Sequence, residues 1–120
     1  AYPLGGNYHI PHGLTNALVL PHVLRFNARC ASELYAELAP LIMPDVLLPN
    51  DSIKITDMLA DYFLNLSKDL GLQTTLRQMN IPESDLQMLA EQSMLQQRLL
   101  ITNPREVSLD DSLQIYRQAF

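Results

Sequence analysis

The stretch PNDSIKITDMLADYFLNLSKDLGL, residues 49–72, contains every signal of one complete helix. Pro49-Asn50-Asp51-Ser52 is a turn-and-cap cluster whose side-chain oxygens can accept from the unbonded amides of a first helical turn. Behind it, Ile55, Leu59, Phe63, Leu66 and Leu70 recur at steps of three and four, which puts them on one helical face. Gly71 then supplies a residue that tolerates the left-handed conformation ending many helices, with Leu72 placed to pack back.

The same period extends in both directions. Toward the C-terminus, Thr74 to Met79 is predicted as one short helix. Pro82, Glu83 and Asp85 open another, the acids lying at its positive end, with Leu86, Leu89, Ala90, Ser93 and Met94 on its apolar side. Asn103-Pro104 starts a turn, and Ser108 with Asp111 three residues on resembles a capping box. The last helix should run to about Gln118 and bury Leu109, Leu113, Tyr116 and Phe120. Toward the N-terminus, Ala31, Leu34, Tyr35, Leu38 and Ile42 predict an amphipathic helix that Pro44 terminates. Leu14, Ala17, Leu18 and Leu20 predict a shorter one, kinked or ended at Pro21, with His22 to Phe26 resuming as a separate piece. Gly5-Gly6-Asn7 and Pro11-His12-Gly13 mark residues 1–12 as an irregular loop, unusually apolar for one because of Tyr2, Leu4, Tyr8 and Ile10. No two-residue alternation lasts long enough for a strand. The expected class is all-α, a single domain over residues 1–120 with a bundle of about six or seven helices.

Composition narrows the function. Hydrophobic residues make up 48% and charged residues only 18%, which predicts apolar surface for a partner or a further domain to cover. Net charge is −5, and the eight Lys and Arg are scattered rather than gathered in a stripe, which argues against nucleic acid. No apolar run approaches the ~18 residues of a membrane span, and no leader-like segment opens the chain. With Cys30 the only cysteine, a disulfide framework is excluded; the expectation is a soluble, cytoplasmic protein with Cys30 buried in a helix.

Three histidines, His9, His12 and His22, lie close in sequence, yet no Asp or Glu occurs between Ala1 and Arg29 to complete a metal shell with them. His22, directly after Pro21, reads best as a surface or helix-end residue. Gly5-Gly6 lacks the spacing and the preceding strand of a phosphate-binding loop, and no G-x-S-x-G elbow is present. The residues alone reach a helical domain with an odd N-terminal segment and no further.

Longer motifs go beyond that. Tyr2-Pro3-Leu4-Gly5-Gly6, then Ile10-Pro11-His12-Gly13-Leu14-Thr15-Asn16-Ala17, then Leu20-Pro21-His22-Val23-Leu24-Arg25-Phe26-Asn27, and finally Thr102-Asn103-Pro104-Arg105 resemble, in order, the iron-containing alcohol dehydrogenase family. The resemblance implies the helical C-terminal domain of the dehydroquinate synthase-like fold, preceded in the parent protein by an α/β domain that binds NAD or NADP. It implies a divalent metal, Fe2+ or Zn2+, held by one Asp and three His, of which His12 matches the last; the other ligands would precede Ala1. It implies metal-assisted hydride transfer between alcohols and aldehydes or ketones. Self-association into a homo-oligomer is expected through the apolar N-terminal segment and the face that would meet the preceding domain. Tyr2 stands near the nicotinamide where many relatives carry His, and a phenol, titrating ordinarily near ~10, does not trade protons at neutral pH as imidazole does. Leu99 falls where relatives line the substrate pocket. By itself the 120-residue chain is expected to bind neither metal nor cofactor stably and to be inactive. The competing reading is a stand-alone helical protein-interaction module without catalysis, which the high apolar fraction favours.

Overall fold

A computed structural model describes residues 1–120. It contains six α-helices and no strand: α1 (Tyr2–Tyr8), α2 (His12–Ile42), α3 (Ser52–Asp69), α4 (Leu86–Met94), α5 (Gln97–Leu100) and α6 (Leu109–Ala119). Short 3-10 turns at Arg77–Met79 and Glu83–Asp85 link α3 to α4. The all-α class and helix number match the expectation.

The helix over residues 52–69 forms as its signals direct. Asp51 accepts hydrogen bonds from the amides of Ile53 (3.0 Å) and Lys54 (3.2 Å), removing two unsatisfied donors of the first turn. At the far end Gly71 takes φ +73°, the Leu72 amide donates to the Ser67 carbonyl and the Gly71 amide to that of Lys68. That is a Schellman closure, the one place where glycine's freedom at positive φ is needed. The Ser108–Asp111 capping box of α6 is also present in both directions.

The side chains divide into two cores. One gathers Leu4, Leu18, Leu76, Ile81, Leu86 and Leu89 with Tyr116 and Ala119, joining α1, α4 and α6 to the first half of α2. The other gathers Leu24, Ala39, Met43, Ile55, Leu59 and Ala60 between α2, from Leu24 to its C-terminal end, and α3. Only α2 contributes to both.

Several expectations need correction. Residues 1–12 are not an irregular loop: residues 2–8 form α1, with Pro3 tolerated in the first turn, where its missing amide has no helical partner to lose. Burial of Leu4 and Ile10 in the first core holds the segment helical despite Gly5 and Gly6, and only His9, at φ 54°, turns the chain toward α2. Pro21 does not end a helix. It lies inside α2, where an interior proline costs about 3 kcal/mol, a penalty offset by burial of Leu18, Leu24, Ala28 and Ala31 on either side. Residues 74–79 make only a 3-10 turn, because the Gln78 side chain takes the Thr74 and Thr75 amides and the Leu76 amide reaches across to the Ala119 carbonyl. Helix α5, which no pattern announced, carries Leu99.

Burial is corrected too. Leu34 and Leu38, and farther on Leu66, Leu70 and Leu109, are exposed rather than core, and Cys30 is exposed. Each apolar helical face is wider than the single neighbour that covers it, so the apolar surface foreseen from composition lies mainly on the outer side of the α2–α3 hairpin and its tip. No helix is long and apolar enough to cross a membrane.

Leu89→Ala, at a side chain with no exposure, should lower the urea-unfolding free energy of the chain by about 2–5 kcal/mol. Leu41→Ala, at a side chain 79% exposed, should stay within about 0.5 kcal/mol.

Candidate active site

His12 is the first residue of α2 and is exposed. Its position is set from both sides. On the α1 side, Asn7 Nδ2 donates to the Pro3 carbonyl and to Gln92 Oε1 of α4, and the Tyr8 hydroxyl donates to the Asp85 carboxylate. Burial and that carboxylate push the Tyr8 phenol up to about 12, so it remains a donor. On the α2 side, Thr15 Oγ1 donates to the His12 carbonyl at 2.8 Å and pins the first turn.

The Tyr2 ring packs against the His12 imidazole, with centroids 5.5 Å apart and planes tilted by 58°. His12 Nε2 lies 3.2 Å from Asn16 Nδ2; an amide nitrogen can only donate, so the ring nitrogen is the acceptor here. His9 caps α1 and is exposed. Nowhere do three His, Cys, Asp or Glu side chains gather closely enough to hold a metal ion. His12 fits a divalent ion as one exposed nitrogen donor, and this chain offers no others beside it.

Leu99 lies on the rim of an apolar cavity of about 180 Å³ between α2, α5 and α6, lined also by Val19, Val23, Phe26, Ile115 and Tyr116. Ala1, the neighbour of Tyr2, lines the same space. The cavity wall on the α5 side is fastened to α2 by polar contacts. Asn27, buried on α2, and Asn103 exchange side-chain amide bonds of 2.8 Å in both directions, and Asn103 Nδ2 also donates to the Arg105 carbonyl. Arg105 donates to the Phe26 carbonyl at 2.9 Å, its guanidinium 3.9 Å from the Phe26 ring centroid. Asn27 and Asn103 both fall within the family-like motifs, but nothing in the sequence pairs them; the fold alone brings the two amides together.

His22 departs most from expectation. It is not at a helix end but in mid-α2, 8% exposed, with Nε2 buried and without a hydrogen-bond partner. Burial, and secondarily the charge of Arg25, lowers its pKa below 6.5. His22 lines a wider cleft with Arg25, Arg29 and Arg105, but this is a poor anion site. Arg25 already bridges Asp57 and Asp61, and Arg105 faces Asp111 at 3.8 Å.

With this geometry in place, comparison with known proteins is decisive. Residues 1–120 match the family model described as Fe-containing alcohol dehydrogenase family, C-terminal. The chain belongs to this family. It is similar to lactaldehyde reductase of Escherichia coli (strain K12), 32% identical over 100% of this chain and 31% of that protein. It is likewise similar to 1,3-propanediol dehydrogenase of Klebsiella pneumoniae, 33% identical over 100% of this chain and 30% of that protein. Among solved structures, a 1,3-propanediol oxidoreductase superposes with TM-score 0.88 at 33% identity, covering 99% of this chain and 31% of the other. An alcohol dehydrogenase from Oenococcus oeni superposes with TM-score 0.89 at 28% identity, covering 99% and 30%. The chain thus spans roughly 30% of the length of the relatives it matches, and its fold is that of the C-terminal domain of this family.

Asn103→Ala should strand the buried Asn27 amide and cost about 1–3 kcal/mol in denaturant unfolding. His22 gives a pH signature. Its folded-state pKa is depressed, so the unfolded chain binds more protons below pH 6.5, and stability should fall as pH drops through that value. His22→Leu should be no less stable at pH 7 and should flatten the decline between pH 7 and 5, measured by thermal unfolding across that range.

Proposed function

We propose that the chain is the metal-binding C-terminal domain of an NAD(P)-dependent alcohol dehydrogenase that interconverts alcohols and aldehydes or ketones by metal-assisted hydride transfer. The observation that carries this reading is His12, an exposed imidazole at the start of a 31-residue helix, paired with Tyr2 and about two helical turns from an apolar cavity. The chain's membership of the Fe-containing alcohol dehydrogenase family supports it.

When bound, Fe2+ or Zn2+ would polarise the substrate oxygen as a Lewis acid, and the nicotinamide of NAD or NADP would accept or supply the hydride. His12 would hold the metal through one ring nitrogen, the remaining ligands coming from sequence ahead of Ala1. Imidazole with a carboxylate suits Fe(II) or Zn(II) rather than Mg or Ca. Asn16, now donating to Nε2, is the group a metal on that nitrogen would displace, and Thr15 keeps the helix end from shifting as it does so.

Tyr2 packs over the imidazole and narrows the approach to it. Its phenol can orient a substrate or nicotinamide group by hydrogen bonding, while proton exchange with solvent at neutral pH falls to another group or to water. Leu99, on the cavity rim, contributes shape rather than polarity to the substrate side.

The preceding α/β domain would bring the cofactor, and the exposed leucines of α2, Leu34, Leu38 and Leu41, support a homo-oligomer as the working state, in the cytoplasm.

In the full-length protein prepared anaerobically, His12→Ala should lower metal content to below about a tenth of a molar equivalent and reduce kcat/KM for alcohols by at least ~100-fold. Far-ultraviolet circular dichroism should remain unchanged, because His12 is exposed. Full metal content and turnover in this variant would overturn the assignment. The 120-residue chain alone should show no alcohol oxidation with added NAD and Fe2+.

A further inference from the structure

Asn16 stands one helical turn beyond His12 on α2, and both side chains are exposed. Its Nδ2 lies 3.2 Å from His12 Nε2, the one side-chain hydrogen bond that Asn16 makes. The turn does not need this contact to hold it, because Thr15 Oγ1 already closes on the His12 carbonyl at 2.8 Å. An exposed side-chain pair at this spacing adds little to a helix.

What the contact does fix is the chemistry of the ring. An amide nitrogen has no lone pair to offer, so Nε2 must accept, and the single proton of the neutral imidazole is left on Nδ1. Nε2 is also the ring nitrogen farther from the backbone, hence the one that reaches an ion held by donors from elsewhere in the sequence. The Tyr2 ring, its centroid 5.5 Å away and its plane tilted by 58°, lies against the imidazole and limits its swing out of this arrangement.

Two effects of opposite sign meet on that nitrogen. The tautomer is the one a metal requires, since a ligating nitrogen carries no proton. The lone pair that would ligate, however, is the lone pair the amide now occupies, and it cannot serve both. Partners of ligating histidines ordinarily contact the other ring nitrogen and strengthen metal binding. Asn16 contacts the ligating one. An interaction made only in the metal-free state stabilises that state and must be given up on binding, whatever geometry it prepares. For one neutral hydrogen bond this weakens the hold on the ion by about 2- to 10-fold.

We propose that Asn16 is an intramolecular competitor of the metal at His12. Its amide covers Nε2 in the metal-free protein, keeps the proton on Nδ1, and is displaced when an ion binds. The inference rests on the reading of His12 as a metal ligand. It deepens that reading by giving Asn16 a sign: removing its side chain tightens metal binding instead of loosening it.

The test uses the full-length protein with isotope-labelled histidine, stripped of metal and then titrated with Zn2+. Before zinc is added, in mildly alkaline buffer where imidazole is neutral, nitrogen resonances should show His12 with an unprotonated Nε2 and a protonated Nδ1. In Asn16→Ala that preference should relax toward a mixture of tautomers. In Asn16→Asp, whose carboxylate can only accept, the proton should move to Nε2. Both substitutions fall at an exposed side chain, and far-ultraviolet circular dichroism should not change. By competition with a chelator, Asn16→Ala should bind zinc about 2- to 10-fold more tightly than the unsubstituted protein. Equal or weaker zinc affinity in Asn16→Ala, with His12 still ligating, would overturn the proposal, as would a proton on Nε2 in the unsubstituted metal-free protein. Zinc that leaves the His12 nitrogen resonances unmoved in both proteins would instead overturn the reading of His12 as a ligand.

Discussion

The continuity of α2 through Pro21 is the constraint on which everything else in this domain depends. Two cores that share no other helix are both built on it, Leu18 facing one and Leu24 and Ala39 the other. A break at Pro21 would free the hairpin from the α1–α4–α6 cap. It would also separate Val19 from Val23 and Phe26, the residues that together wall the apolar cavity. The penalty of an interior proline, about 3 kcal/mol, is of the size recovered by burying one or two leucines, each worth roughly 1.5–3 kcal/mol. The helix survives because its flanks are buried on both sides of the proline, and His12 is thereby held at the start of one continuous helix.

A second set of contacts holds the opposite wall. Segment 97–105 contains only the four-residue α5, far too short to be stable alone. It is held instead by the Asn27–Asn103 amide exchange and by Arg105 folded over Phe26, both of which attach it to the same long helix. These bonds consume the polar atoms at the back of the cavity and so make it apolar as a consequence of fastening it. Structural satisfaction of buried amides and chemical character of the site are thus one fact seen from two sides. The buried, unpaired nitrogen of His22 is the exception, and its burial sets this histidine in the core rather than in the candidate site.

What could be read in advance follows the range of the forces involved. Asp51, Gly71 and the Ser108–Asp111 box act within four residues of themselves, and the helices they bound appeared where local chemistry put them. The elements misread are those decided at long range. Residues 2–8 carry glycines that argue for a loop, yet Leu4 is drawn fully into the core by residues more than seventy positions away. Residues 74–79 have helical periodicity, but the Leu76 amide is claimed by the Ala119 carbonyl. At the candidate site, the type of His12 and its family motif were legible, whereas the placement of the Tyr2 ring beside it depends on α1, which pattern alone took for loop. Asn27 is legible only as the end of a family-like motif, since its importance exists only with Asn103 seventy-six residues on.

This distribution also divides the labour of the site. A transition-metal centre needs several donors in fixed geometry, and its affinity depends on how little those donors must reorganise on binding. With His12 as its one proposed donor, this domain would act on that affinity through placement, to which Thr15, the buried Leu4, the Asn7 contact with α4 and the Tyr8 contact with Asp85 contribute. Its freer contribution is shape. The walls around Leu99 and Ile115 can change by a methylene without disturbing the His12 end of α2, because the cavity and the imidazole are about two turns apart on a rigid helix. Under the proposed reading, such a fold would let the shape of the cavity vary apart from the metal ligand, since the two would be set by different stretches of the same helix.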